Sequence, residues 1–396
     1  MNLWKCLPQD ESPPSWEWII GYTIDVPGKS AWARIVQLAN DTPNISLLHL
    51  TEKKGATLAT YLSGCVKEAI GDYLLFLPHG TVPNIKLFSW LTEYSEEVDF
   101  LYGDFAFLDR KKGTPRINHT LPEKYWSTYQ YVHEDAKCMV YKAAPLKART
   151  LYEYKLAPTR AMLWERKIFN TMGGFNLQLQ TGFEYEYTCR TYISGRKMVH
   201  IPDMPISFSE YHDLTEEQTT LYAGIGHKYF FPLIEQETKR EGLEKYSLFN
   251  APQTLQEDHK AMSWTGGELI NENGNQIKDG TIGIINAADF LNFVPQAQVI
   301  HLVEDIWRVL APNGWFISAT PSSRGAGAFA DPRQASYWNN LSFSFFCLTK
   351  DIDLGFKGLF QHTRVWESFP TDWHKQNGVA YVQANLMKLE LPTPKE

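Results

Sequence analysis

The stretch GDYLLFLPHGTVP, residues 71–83, decides how the first half of the chain is read. YLLFL is a short unbroken apolar run bounded by Gly-Asp on one side and Pro and Gly on the other, the pattern of a buried strand ending in a tight loop. Working outward, WEWIIGYTI (16–24), AWARIVQLAN (31–40), ISLLHL (45–50) and TLATYLSGCVKEAIG (57–71) alternate strand-like runs with amphipathic stretches. That rhythm predicts βαβαβ and a mostly parallel, three-layer sheet. A helix is expected over 84–97, a strand over 98–109, and a turn at KKGTPR (111–116). Residues 157–176 and 181–207 read as strand, helix, Gly-rich turn, helix and returning strand.

At 396 residues the chain is long for one domain, and 43% hydrophobic with 14% aromatic residues is enough for two cores. The polar stretch 214–245 shows no apolar alternation and is expected to be a helical connector. The domains are therefore expected at 1–214 and 245–396, with the connector at 215–244. In the second, TIGIINAADFL (281–291) reads as strand and turn, QVIHLVEDIWRVL (298–310) as an amphipathic helix, PNG (312–314) as its stop and WFISATP (315–321) as the next strand. The fold class is α/β, two three-layer αβα domains.

A net charge of −7 lacks the basic excess of a phosphate-tracking protein, so nucleic acid is not an expected partner. No run approaches about 18 apolar residues, so no membrane span is expected. The five cysteines, Cys6, Cys65, Cys138, Cys189 and Cys347, form no close pair and read as reduced thiols of a cytoplasmic chain.

PPSWEWII, GDYLLFLPHGTVP, VDFLYGDF, MGGFNLQLQTGFEYEY and GRKMVHIP together resemble a family 2 glycosyltransferase with the A-type nucleotide-sugar fold, over about residues 3–214. The resemblance implies a nucleotide-sugar donor, a glycan acceptor, and Asp residues after the FL of the loop that hold a divalent cation against the diphosphate. Pro78, His79, Gly80 and Thr81 stand there instead. No metal site is expected, His79 and His212 being the imidazoles nearest to one. By position the resemblance leaves Asp25, Thr60 and His79 for the nucleotide sugar, Glu184 as general base, and Asp104 as an acid lining the acceptor side. Without a metal, Lys53, Lys54, Arg160 and Arg166 are the cations available to the diphosphate. By the same comparison the segment before the strand-like run resembles a first helix, which puts the first strand of the fold outside the chain.

In the second half, residues 279–296, 301–323 and 324–340 resemble the later part of a class I methyltransferase, a truncated Rossmann-like domain over about 279–390. The resemblance implies S-adenosylmethionine approached by a Gly-rich loop after the first strand. YAGIGH (222–227) lies in a helical stretch, WTGGEL (264–269) has no strand before it on this reading, and Asn292, Phe293 and Gln334 replace expected polar groups. S-adenosylmethionine is therefore not an expected cofactor. Both halves keep the Trp, Gly and Pro of packing and turns while their ligand positions change. Three readings stay open: a glycosyltransferase with a metal-free donor site, a catalytically inactive pseudoglycosyltransferase that binds a glycan or protein partner, and a structural scaffold whose 13 Trp and 20 Tyr serve partner surfaces.

Overall fold

The computed structural model describes residues 16–22, 29–51, 54–76, 82–84, 98–108, 128–133, 136–141, 146–152, 162–209, 215–248, 259–347 and 355–389. It divides into two compact units, 1–233 and 234–396.

The first unit starts with a βαβ element. Strand β1 (Trp18–Tyr22) lies parallel to β2 (Ile45–His49), joined through helix α1 (Lys29–Asp41). The run expected to follow the first strand of the fold pairs in parallel with β2. Helix α2 (Leu58–Glu68) begins at a capping box in which Thr57 accepts from the Thr60 amide and Thr60 returns the bond to the Thr57 amide. Next come β3 (Tyr73–Leu75), β4 (Val82–Pro83), β5 (Phe100–Leu108) and the hairpin of β6 (Thr128–His133) with β7 (Ala136–Tyr141). Helix α3 (Ala148–Tyr152), β8 (Met162–Glu165), α4 (Arg166–Thr171), α5 (Phe183–Ile193) and β9 (Met198–Ser209) complete the unit's strands.

The main sheet is mixed, whereas the rhythm of runs predicted a mostly parallel one. β8 inserts antiparallel between β3 and β5, and only β9 runs parallel to β5. Alternation along the chain cannot reveal this, because a four-residue strand leading straight into α4 looks the same in either direction. The core beneath is aromatic: Phe100, Tyr102, Trp164, Phe169, Phe175, Phe183 and Tyr187 pack together. Trp164 meets Tyr187 edge to face at 4.5 Å, and Phe169 meets Phe175 at 4.9 Å.

Helix α6 (Glu216–Arg240) covers most of the stretch expected to be a connector, and the division between the two units falls within it. It is a packed element: Ile225, Phe230, Leu233, Ile234, Glu237 and Thr238 are buried. The stripe follows the helical three-to-four spacing, and its polar members hide it from a search for apolar residues alone.

The second unit is one seven-stranded sheet, β12-β11-β10-β13-β14-β16-β15. Its members are β10 (Glu244–Leu248), β11 (Lys260–Thr265), β12 (Glu268–Asn271), β13 (Ile282–Ala288), β14 (Leu310–Pro321), β15 (Phe360–Ser368) and β16 (Tyr381–Lys388). β11, β10, β13 and β14 are parallel, and antiparallel strands flank them. Helix α7 (Val299–Val309) lays Leu302, Val303, Ile306 and Val309 into the core, each at most 1% exposed. Burying four such side chains contributes on the order of 6–12 kcal/mol. The PNG expected to stop α7 forms a bulge inside β14: Asn313 has φ 63°, and a Cβ on Gly314 would lie 2.8 Å from the Ala311 carbonyl and 2.9 Å from that of Ile282. Short helices α8 (Asn340–Ser344) and α9 (Asp372–Gln376) sit in the later connections.

Candidate active site

In the first unit, strand register gathers the chemistry at one edge. β3 ends at Leu75, opposite Leu163, and Leu163 in turn faces Leu101. Tyr102, Asp104 and His200, which pairs with Tyr102, therefore lie at the level where the loop after β3 begins. Helix α5 finishes just before Met198, which is opposite Phe100 at the far end of the sheet. Its 11 residues rise about 16 Å. Of the residues singled out from sequence, Asp104 lies on β5 and Glu184 in the first turn of α5.

The start of α5 is held firmly. Glu186, 4% exposed, takes a two-pronged bond from Arg190 at 2.8 and 3.0 Å and a third from the Tyr229 hydroxyl at 2.5 Å. Arg190 also donates to the carbonyls of Met172 at 2.7 Å and Gly174 at 2.6 Å, which fastens the MGG turn to the helix. Its guanidinium lies 5.0 Å from the centre of the Tyr187 ring. Burial and the neighbouring carboxylate push the Tyr229 phenol up from its ordinary value, so it serves as a neutral donor. Glu186 is thereby a structural anchor. Gly182 precedes the helix at φ 74°, and a Cβ there would press on Ile225 and Tyr222 at 3.2 and 3.3 Å. Glu184 is partly exposed in the first turn, where the helix N-terminus favours negative charge.

Asp104, expected as an acid lining the acceptor side, is 0% exposed, and its Oδ1 lies 2.9 Å from His200 Nε2. His200 stacks on Tyr102 with ring centroids 5.0 Å apart and planes 24° from parallel. The sequence does not single out His200, since GRKMVHIP reads only as a fold signal. The clue available was an imidazole where a returning strand otherwise wants apolar residues.

Thr60 has its hydroxyl inside the capping box of α2, 3.3 Å from the Thr57 amide. Arg166 sits at the opposite end of β3 from the loop, donating to the Gly71 carbonyl at 2.5 Å and that of Ile70 at 3.1 Å. Glu17 accepts from the amides of the same two residues at 2.6 and 2.7 Å. A cleft of about 780 Å³ lined by Asp72, Tyr73, Glu165, Arg166 and Lys167 opens at that far end. Asp25, His79 and His212, with Lys53, Arg160, Pro78, Gly80 and Thr81, lie outside the described residues. Among the described residues, no group of three or more His, Cys, Asp or Glu side chains is placed to hold a metal ion.

In the second unit the strand order reverses between β10 and β13, the kind of switch point at whose carboxyl edge α/β sheets take ligands. The strand from which a cofactor loop would spring is β10, and the ten residues after it, FNAPQTLQED (249–258), contain no glycine. YAGIGH lies inside α6. Contrary to expectation, WTGGEL does follow a strand, β11. Its Gly266 and Gly267, at φ 66° and 91°, make the two-residue hairpin turn into β12. Asn292 is 2% exposed and its side-chain carbonyl accepts from the Thr320 hydroxyl at 3.2 Å. Asp289, just past β13, has φ 49° and a carboxyl that burial pushes above its ordinary value.

No protein-family model matches the chain, and a search among curated proteins gives no match either. Among solved structures it is similar to residues 1–349 of S. aureus TarS in complex with UDP, at 13% identity and a TM-score of 0.41, over 60% of this chain and 64% of that one. It is also similar to GalNAc-T7 with UDP, GalNAc and Mn²⁺, at 12% identity and a TM-score of 0.34, over 56% and 50%. A third is the YcgJ protein from Bacillus subtilis, at 12% identity and a TM-score of 0.24, over 45% and 81%. The chain spans less than two thirds of the length of the first two.

Proposed function

We propose that the first unit transfers a sugar from a nucleotide sugar to a hydroxyl of a glycan acceptor. The observation that supports this reading is a buried carboxylate–imidazole pair across β5 and β9, in the same unit as an acidic helix N-terminus that Glu186, Arg190 and Tyr229 hold in place. Glu184 is assigned to accept a hydrogen bond from a second hydroxyl of the acceptor, next to the one that attacks. The described residues do not supply a cation with a ligand set, and no step of the proposal passes through a metal. Three described cysteines, Cys65, Cys189 and Cys347, carry free thiols, in keeping with a cytoplasmic placement. Among the described residues no helix is long and apolar enough to cross a membrane.

The test is turnover by the full chain across a panel of nucleotide sugars and glycans, followed by release of the nucleoside diphosphate. At least one donor is expected to be consumed only when an acceptor is present. If no member is turned over while a glycan alone binds, the inactive, glycan-binding reading holds. Arg166 favours that second reading, because its guanidinium is committed to two backbone carbonyls away from the edge and is not available to a diphosphate.

For the second unit we propose a methyltransferase-like scaffold without S-adenosylmethionine. A side chain at every position of 249–258 keeps backbone from the close approach that glycine permits. Calorimetry with S-adenosylmethionine is expected to give no heat of binding. A dissociation constant in the low micromolar range, about −8 kcal/mol, would overturn this.

A further inference from the structure

Tyr102 and Asp104 are two residues apart on β5 and so share one face of the sheet, and His200 lies beside Tyr102 on the neighbouring parallel strand. Between the pairings Tyr102–His200 and Asp104–Pro205 the β9 strand carries extra residues, a bulge that lets the Asp104 carboxylate meet the ring. The ring is fixed twice, by its stack on Tyr102 and by the 2.9 Å bond at Nε2. Tyr102 is itself held where its phenolic oxygen accepts from the Leu146 amide at 2.9 Å. With Asp104 fully buried, Nε2 is assigned as the protonated nitrogen, donating to the carboxylate. Nδ1 is then the lone-pair nitrogen. It has no hydrogen-bond partner among the described residues, and the His200 side chain keeps 20% of its surface exposed. A purely structural histidine would be expected to use both nitrogens.

We propose that His200 is the proton acceptor of this edge and that Asp104 is its positioning residue. The inference rests on the sugar-transfer reading above. As the acceptor oxygen forms its bond to the anomeric carbon, its proton passes to Nδ1. The bond from that carbon to the diphosphate breaks, and the diphosphate leaves with the electron pair. Asp104 holds the tautomer and faces the imidazolium that results, a division of labour known from other histidine–carboxylate pairs. The proton then leaves to solvent, and no oxidant or reductant is involved.

The experiment uses the full chain with the donor that the wild type consumes. His200→Gln is expected to lower kcat by about 10²–10⁴ while the KM for donor stays within a factor of about three, and Asp104→Asn to lower kcat in the same direction. Among the described residues, the titratable groups against the ring are Asp104 and Tyr102. Burial pushes the Tyr102 phenol up to about 12, which keeps it neutral through the acid range. Should the variants not fold, acylation of wild-type imidazoles by diethyl pyrocarbonate replaces them. Loss of activity that tracks modification of His200, prevented by donor plus acceptor, supports the proposal. Unchanged kcat in folded His200→Gln, or full activity after His200 is acylated, overturns it while leaving sugar transfer intact. A wild type that turns over no donor overturns both.

Discussion

Arg190→Ala is expected to destabilise the first unit by about 3–5 kcal/mol, the usual cost of removing one partner from a buried ion pair. The loss has three parts. Glu186, 4% exposed, keeps a negative charge with only the Tyr229 hydroxyl to face it, and the carbonyls of Met172 and Gly174 lose their donors. Contact with the Tyr187 ring goes as well. Arg190 is a quarter exposed, so water can reach part of the gap and the lower end of the range is expected. Arg190→Lys should recover little, since one ammonium cannot reach two carboxylate oxygens and two carbonyls as the planar fork does. The double variant Glu186→Gln with Arg190→Ala should be less destabilised than the sum of the singles, because the stranded charge is gone. Hydrogen exchange over residues 172–193 in the full chain is the measurement. Exchange there within experimental error of wild type would show that the anchor contributes nothing.

Glu184→Gln is expected to weaken kcat/KM for the acceptor by about 10–100-fold, the value of a hydrogen bond to a charged group, roughly 1.5–3 kcal/mol. The change should appear mainly in acceptor KM, because the amide keeps the size of the side chain and loses the charge that holds the acceptor through its second hydroxyl. Folding should be unaffected, since the anchor of α5 runs through Glu186 and Arg190. Steady-state kinetics with acceptor varied at saturating donor separates the two quantities. A fall of about a hundredfold in kcat with KM unchanged would make Glu184 the base, as the family resemblance implies, and would remove that role from His200.

Local pattern and tertiary pairing divide the molecule unevenly. Helix α7 was legible because its apolar residues repeat at helical spacing, and its buried face, Leu302, Val303, Ile306 and Val309, is the face that spacing defines. The pairing of Glu186 with Arg190 is likewise a one-turn neighbour relation on a helix. Its anchoring function was not legible, since Tyr229 is 43 residues away and Met172 contributes a backbone carbonyl. The same limit explains the polar helix α6, whose buried Glu237 and Thr238 look like solvated positions until their surroundings are known.

The order of apolar runs, the turn residues and the absent carboxylates of LPHGT (77–81) were determined by the sequence alone, because each is a property of neighbours along the chain. Strand direction and order were decided only by the tertiary structure. It placed β8 antiparallel beside β5 and made β10 the strand at the switch point. It also made Asp104 the buried partner of His200, two residues separated by 96 positions. Such a contact depends on sheet register and on a bulge in β9, both of which arise from long-range backbone pairing that no local periodicity encodes.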